Sequence, residues 1–193
     1  MSADAIIDVS NALTRRLEIA RARSAVPGTV FVGPLDDPDA NGAALILFLY
    51  RLVPNPSLRN REHSVLSTNP PPAPPVVVFR NSLPLDLYFL VTVGTTPGSS
   101  EETLLKVLGF AIQELQSDPD LIIKDQTVHV TPEPLSTEEA SRIWNLFPTA
   151  NYRTSIAYLA TPVWIDPLQE AASGKPVLED RLLAGSKIGE LAP

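Results

Sequence analysis

Leu45-Ile-Leu-Phe-Leu-Tyr-Arg-Leu-Val-Pro-Asn-Pro-Ser-Leu-Arg-Asn60 joins an unbroken apolar run to a Pro-Asn-Pro segment. Continuous rather than alternating apolar residues are typical of a strand that is buried on both faces. We therefore predict such a strand over residues 43–53, with Arg51 near its exposed end. The two prolines that flank Asn55 then end the strand and direct the chain out of the core.

Helical and strand patterns lie on both sides of this run. Ser99 with Glu102 and Ser136 with Glu139 predict capping boxes at the starts of two helices. Pro162 is expected to break the last strand or to place it at a sheet edge, because proline cannot donate to the ladder. The predicted elements are helix 5–25, strand 29–32, strand 43–53, strand 85–93, helix 99–116, strand 127–131, helix 136–147 and strand 152–161.

This order of elements decides the fold class. Helices and strands do not alternate regularly enough for a doubly wound parallel sheet. The sequence predicts one α+β domain over residues 1–166, with a mixed, largely antiparallel sheet and two or three helices packed on it. Residues 167–193 are rich in glycine, alanine, proline and charge, and they predict a C-terminal arm.

Residues 54–81 are the most unusual part of the chain, because they hold many of its 20 prolines. Residues 70–75 predict stiff polyproline II, and a loop this long without secondary structure is usually functional. We interpret its start as a docking element that reaches another protein chain. The candidate interface residues are Arg51, Pro54, Pro56, Leu58, Arg59, Asn60 and Arg61.

Composition and motifs argue against an enzyme, a metalloprotein or a nucleic-acid-binding protein. The chain has no cysteine and a net charge of −7, which excludes thiol chemistry and disfavours nucleic-acid binding. His63 and His129 lie far apart without a pattern of acidic ligands, so we expect surface histidines and no metal site. Gly94-Thr-Thr-Pro-Gly98 matches neither a nucleophile elbow nor a phosphate loop. No cofactor and no membrane span are expected.

Two pairs of acidic residues, Asp118 with Asp120 and Glu138 with Glu139, resemble paired carboxylates for acid–base catalysis. Acids near helix starts are expected from the helix dipole alone, so the simpler interpretation is a solvated acidic face. The alternative is that this face meets the arginines between residues 51 and 61 on a neighbouring subunit.

The ordered set of these segments resembles a known family. It is carried by the helix 104–115 and by Ile7-Asp-Val-Ser-Asn-Ala-Leu13, Leu47-Phe-Leu-Tyr-Arg51, Pro54-Asn-Pro-Ser-Leu-Arg-Asn60, Pro84-Leu-Asp-Leu-Tyr-Phe-Leu-Val-Thr92, Leu135-Ser-Thr-Glu-Glu-Ala-Ser-Arg-Ile-Trp144 and Tyr152-Arg-Thr-Ser-Ile-Ala-Tyr158. Together they look like the N-terminal domain of cap, or tail-terminator, proteins of extracellular contractile injection systems, phage-tail-like particles of the antifeeding-prophage type.

The resemblance implies a structural role. Such a protein forms a ring, expected to be hexameric, that is seated on the inner tube, contacts the sheath and ends the growth of both. The resemblance supplies no catalytic residues, and it implies a component of a particle that is released or stays in the cell. Without a signal-peptide pattern or a membrane span, synthesis and assembly in the cytoplasm are the default expectation. The alternatives are a neck, baseplate or sheath-associated adaptor of the same particle, and a small hydrolase that uses Asp, Glu and Ser.

Overall fold

The computed structural model describes residues 3–66, 76–124 and 126–168. Predicted polyproline II at 70–75 and most of the predicted C-terminal arm lie outside these residues. The helices are α1 (Ala5–Ser24), α2 (Glu101–Ser117) and α3 (Thr137–Trp144). The strands are β1 (Val30–Val32), β2 (Leu45–Pro54), β3 (His63–Leu66), β4 (Val76–Phe79), β5 (Leu83–Val93), β6 (Asp120–Ile123), β7 (Gln126–Glu133) and β8 (Ser155–Ile165).

The strands form a six-stranded sheet in the order β1-β2-β5-β8-β7-β6 and a separate two-stranded sheet of β3 and β4. Only the β1–β2 pair of the large sheet is parallel, and its other pairs are antiparallel. This architecture confirms the predicted α+β class with a largely antiparallel sheet. The strands β3, β4 and β6 were not predicted, and β3 and β4 give residues 54–81 secondary structure of their own.

Both faces of the large sheet are covered where β2 begins. Leu45 and Leu47 belong to the main core, which also contains the apolar sides of α1 and α2. Ile46 points to the opposite face and joins a smaller cluster with Ile143 and Trp144 of α3. Alternate side chains of one strand therefore serve two cores, which is why the apolar run does not alternate.

The second half of β2 does not match the prediction. Full burial ends after Leu47, and Leu52 is exposed, whereas the exposure of Arg51 agrees with the prediction. A register shift between Leu49 and Arg51 accompanies this change where β2 pairs with β5. The strand is thus fully buried on both faces only at its start.

The expectation that Pro162 breaks the last strand, β8, or places it at a sheet edge is wrong. The strand runs through a cis Thr161–Pro162 bond and lies between β5 and β7. Leu85 pairs with Val163 and Leu87 with Ala160, so Thr161 and Pro162 together face the single residue Asp86. This bulge and the end of the β7 ladder at Thr161 remove the need for an amide donor at the proline.

The helix caps agree with the sequence in one case and differ in the other. Ser136 and Glu139 form the predicted capping box of α3, with both reciprocal hydrogen bonds present. Helix α2 is capped by Ser100, which accepts from the Thr103 amide, so the predicted capping box of Ser99 with Glu102 is wrong. The predicted cap was one residue too early, because Ser99 and Ser100 are equally suitable N-cap residues in the sequence.

Candidate interaction surface beside the central strand

The segment after β2 is a compact turn that Asn55 organises. The Asn55 Oδ1 accepts from the amides of Ser57 and Leu58, both at 3.0 Å. Its carbonyl accepts from the Arg59 amide at 3.1 Å, and its own amide donates to Pro84 O at 2.8 Å. An asparagine between two prolines therefore fixes the direction of the whole segment, as an Asx turn does.

A buried carboxylate ties this turn to the bulge in β8. Asp86 is 7% exposed and accepts from Asn55 Nδ2 at 2.9 Å. Its Oδ1 also accepts from the Thr161 hydroxyl. Hydrogen bonds to a charged acceptor are stronger than neutral ones, so the Asn55–Asp86–Thr161 network holds the turn against the sheet.

The turn leads into the β3–β4 hairpin, which His63 attaches to the end of β8. This histidine is 7% exposed, so the predicted surface position is wrong. Its Nδ1 lies 2.8 Å from Asp166 Oδ1, and its ring stacks on Trp164 with centroids 4.8 Å apart. Ser82 donates to the same carboxylate oxygen at 2.7 Å. Burial of Trp144 and Trp164 follows the sequence prediction.

The trio of Ser82, His63 and Asp166 is not arranged for nucleophilic catalysis. In a Ser-His-Asp triad the serine donates to the histidine, and the acid orients the other side of the imidazole. Here the Ser82 hydroxyl and the His63 Nδ1 both bind Asp166 Oδ1. All three residues are buried, which favours a structural tether.

The arginines of the turn line a basic concavity together with an arginine from the hairpin. Arg59, Arg61 and Arg80 surround a volume of about 360 Å³, and each is exposed. Arg80 Nε lies 3.4 Å from Glu62 Oε1, a surface ion pair that leaves Arg59 and Arg61 without a carboxylate partner among the described residues. Asn60 also lines this concavity, which we call the basic patch (Arg59, Asn60, Arg61, Arg80).

Arg51 does not belong to this patch, although the sequence grouped it with the other arginines. Its guanidinium lies 4.9 Å from the Tyr88 ring centroid, in a groove that Glu133 and Glu139 also line. Burial of Tyr50 in the same groove, with Glu133 nearby, raises the Tyr50 pKa to about 12. Part of the charge complementarity that the alternative interpretation placed between subunits is thus satisfied within one chain.

The remaining candidates take different positions. Pro54 is the last residue of β2, Pro56 is exposed at the start of the turn, and Leu58 is half-buried against it. Asn55 was not among the candidates predicted from the sequence, although its position between two prolines was a local signal for a turn. Nothing local marks Asp86, His63 or Asp166, because their partners lie far along the chain.

The acidic pairs have partners within the chain rather than a shared site. Arg16 binds Asp118, and His129 Nδ1 lies 2.6 Å from Asp120 Oδ1. Arg142 donates to Glu138 at 2.6 Å. The bonds from Ser136 in the capping box lower the Glu139 pKa, with smaller contributions from Arg51 and Arg142.

The described residues contain neither a cluster of metal ligands nor a membrane-spanning helix. Within residues 3–66, 76–124 and 126–168, the side chains of His, Asp and Glu form no group of three or more that could hold a metal ion. None of the helices in those ranges has the length and apolar character needed to cross a membrane.

The fold is similar to terminating proteins of contractile injection systems. One solved structure, the sheath/tube terminator of the PVC extracellular contractile injection system in its extended state, matches 97% of this chain with a TM-score of 0.57 and 18% identity. The tube terminating cap of the anti-feeding prophage matches 91% with a TM-score of 0.60 and 19% identity. This chain covers 64% and 60% of those two proteins. At identities this low, the structural similarity shows a shared fold and nothing more specific.

Family membership is more specific. Residues 8–179 match the Pvc16 N-terminal domain, and the chain belongs to that family. No match was found among curated protein sequences. The resemblance that the sequence segments indicated is therefore confirmed.

Proposed function

We propose that this chain is a structural cap that terminates the tube and sheath of a contractile injection particle. The observation that carries the proposal is the Pvc16 N-terminal domain match over residues 8–179. The folds of a sheath/tube terminator and of a tube terminating cap support it, since each covers more than nine-tenths of this chain. The role needs no catalytic group and no cofactor.

In this proposal six copies form a ring on the last ring of the inner tube, and the outer part of the ring contacts the sheath. Assembly takes place in the cytoplasm, and the cap stays with the finished particle. A head-to-tail polymer stops growing when its last ring presents a surface that the next subunit does not match. A cap therefore needs one face that fits the polymer and another that does not.

The basic patch is the docking element that we assign to the tube or sheath. Asn55 and Asp86 hold the turn on one side, and His63 and Asp166 hold the hairpin on the other. Two separate tethers reduce the entropy that the patch loses on binding, which favours affinity. Exposed arginines on a fixed support can also bind carboxylates in bidentate geometry.

Particle assembly with and without this chain tests the function. We expect electron microscopy of particles made without it to show tubes and sheaths of irregular length. Labelled chain should mark the end far from the baseplate. Particles of normal length in its absence, or label at the baseplate, would refute the capping role and favour an adaptor.

Charge reversal tests the basic patch. The double change Arg59→Glu and Arg61→Glu should reduce cap occupancy on particles at least tenfold, because each arginine contributes a charge-assisted contact of about 1.5–3 kcal/mol. Arg15→Glu is the matched control, since Arg15 is exposed on α1 away from the turn. Full occupancy of the double variant would remove the patch from the interface while leaving the capping role open to the deletion test.

A further inference from the structure

A second cationic site lies at the other end of the sheet. Arg153 precedes β8, where β5 ends and α2 begins, and it lines a concavity of about 540 Å³. The basic patch lies where β5 begins and β8 ends. Each of these two strands has 11 residues, so at about 3.3 Å per residue the two sites are separated by roughly 30 Å or more.

Arg153 is unusual in its surroundings. Its Nη1 is buried, and within the described residues it has no hydrogen-bond acceptor. No carboxylate in that part of the chain forms an ion pair with it, whereas Arg16, Arg21, Arg23, Arg80 and Arg142 each have one. Arg153 as a whole is half-buried, but a buried N–H donor without an acceptor is costly. The same burial lowers the Arg153 pKa.

Two of the polar groups that line the concavity already have hydrogen-bond partners. Thr96 Oγ1 donates to Ala43 O at 3.0 Å, and the Thr154 carbonyl accepts from Thr92 Oγ1 at 3.1 Å. Those bonds fix the walls of the concavity, and Arg153 Nη1 is a buried donor beside it that has no acceptor among the described residues. The site is therefore prepared for an acceptor from outside these residues.

The lining selects the class of acceptor. Val93, Leu104 and Tyr152 give the concavity an apolar part, which suits the methylene groups of an acidic side chain. Glu101 lines the same space, so a dianion such as phosphate meets about twice the repulsion that a single carboxylate meets. A chain with a net charge of −7 also disfavours a nucleic-acid backbone.

We propose that the Arg153 concavity binds a carboxylate side chain of a neighbouring protein chain. The bond is a charge-assisted hydrogen bond from the guanidinium, and the aliphatic part of the acidic residue packs on Leu104 and Tyr152. This assigns a second interface to the chain, remote from the basic patch. It does not depend on the capping role, because it is tested on the isolated chain.

NMR titration with a defined probe tests the site. The probe is N-acetyl-glutamate methylamide, and its glutamine analogue is the neutral isostere. We expect a saturable shift of the Arg153 Nε–H resonance with the glutamate compound and at least tenfold weaker binding of the glutamine compound, the size of one charge-assisted bond. Inorganic phosphate should bind more weakly than the glutamate compound.

Two variants complete the test. Arg153→Gln should weaken binding of the glutamate compound at least tenfold, and Arg142→Gln should leave it unchanged, since Arg142 is an exposed arginine paired with Glu138. The proposal is overturned by a wild-type titration without saturation, by equal binding of the glutamine analogue, or by tighter binding of phosphate. All three outcomes are measured on the wild-type chain, so the proposal can be overturned even if the Arg153→Gln variant does not fold.

Discussion

Gly94 is the residue at which backbone contact is closest. It follows β5, and its amide donates to Ala44 O at 2.9 Å. A Cβ built on it would lie 1.9 Å from Ala43 O, far inside van der Waals contact. Because the Ala43 carbonyl is a backbone group, it cannot move aside like the end of a flexible side chain. Only glycine lets the chain cross the start of β2 at this distance.

Substituting Gly94 by alanine should therefore destabilise the chain by about 3 kcal/mol or more, the upper range for overpacking a core. Urea unfolding followed by circular dichroism measures this change in the free energy of unfolding. Gly109→Ala is the matched control, since a Cβ there meets nothing within 4 Å on an exposed side of α2. The control should gain about 0.5–1 kcal/mol from helix propensity. Equal stability of the two variants would contradict the steric argument.

The β3–β4 hairpin is the element whose attachment the structure explains best. His63 is the first residue of β3, and it reaches Asp166 and Trp164 just where β8 ends. His129 forms a similar contact with Asp120, but both partners are about half exposed. Exposed ion pairs contribute little, whereas a buried carboxylate that loses its partner is costly.

His63→Ala should loosen the hairpin and leave the large sheet intact. We expect amides of β3 and β4 to exchange at least about tenfold faster in hydrogen-exchange measurements, because a buried polar bond of about 1.4 kcal/mol or more is removed. His129→Ala should leave hairpin exchange unchanged. Unchanged exchange in the His63 variant would show that other contacts hold the hairpin.

Local sequence patterns were sufficient to predict most helices and strands. Features that depend on contacts between distant residues were not predicted. The apolar steps of α1 and the capping box at Ser136 need only neighbouring residues, so they were visible in the sequence. The bulge that admits Pro162 into an internal strand depends on Asp86, which is 75 residues from Thr161. A rule based on proline alone could not find that partner.

The candidate interaction surface was likewise predictable where it depends on local sequence and unpredictable where it depends on distant residues. Pro-Asn-Pro correctly marked where the chain leaves the sheet, and Arg59 and Arg61 do share one exposed concavity. Arg51 was grouped with them by sequence distance, yet its strand position places it over Tyr88. The tether of His63 to Asp166 spans 103 residues and has no local signature.

At the scale of the whole molecule, the two cationic sites lie at opposite ends of β5 and β8. A subunit that only binds its own copies in a ring needs two complementary surfaces. A subunit that also sits on a tube needs a third. We propose that the basic patch and the Arg153 concavity are two of these surfaces. They are chemically distinct and far apart, so charge changes at one end should not affect binding at the other.

The proposed capping role leads to a prediction about the amount of this protein that assembly requires. If the chain caps polymer ends, the amount required is set by the number of ends and not by the number of tube subunits. Purified chain added to tube protein during assembly should shorten the tubes at substoichiometric ratios, and electron microscopy should find it at tube ends. The Arg59→Glu, Arg61→Glu variant should need at least tenfold more protein for the same shortening, since it loses charge-assisted contacts. Incorporation along the tube, or shortening only at equimolar ratio, would show that the chain acts as a side-binding or copolymerising subunit rather than as a cap.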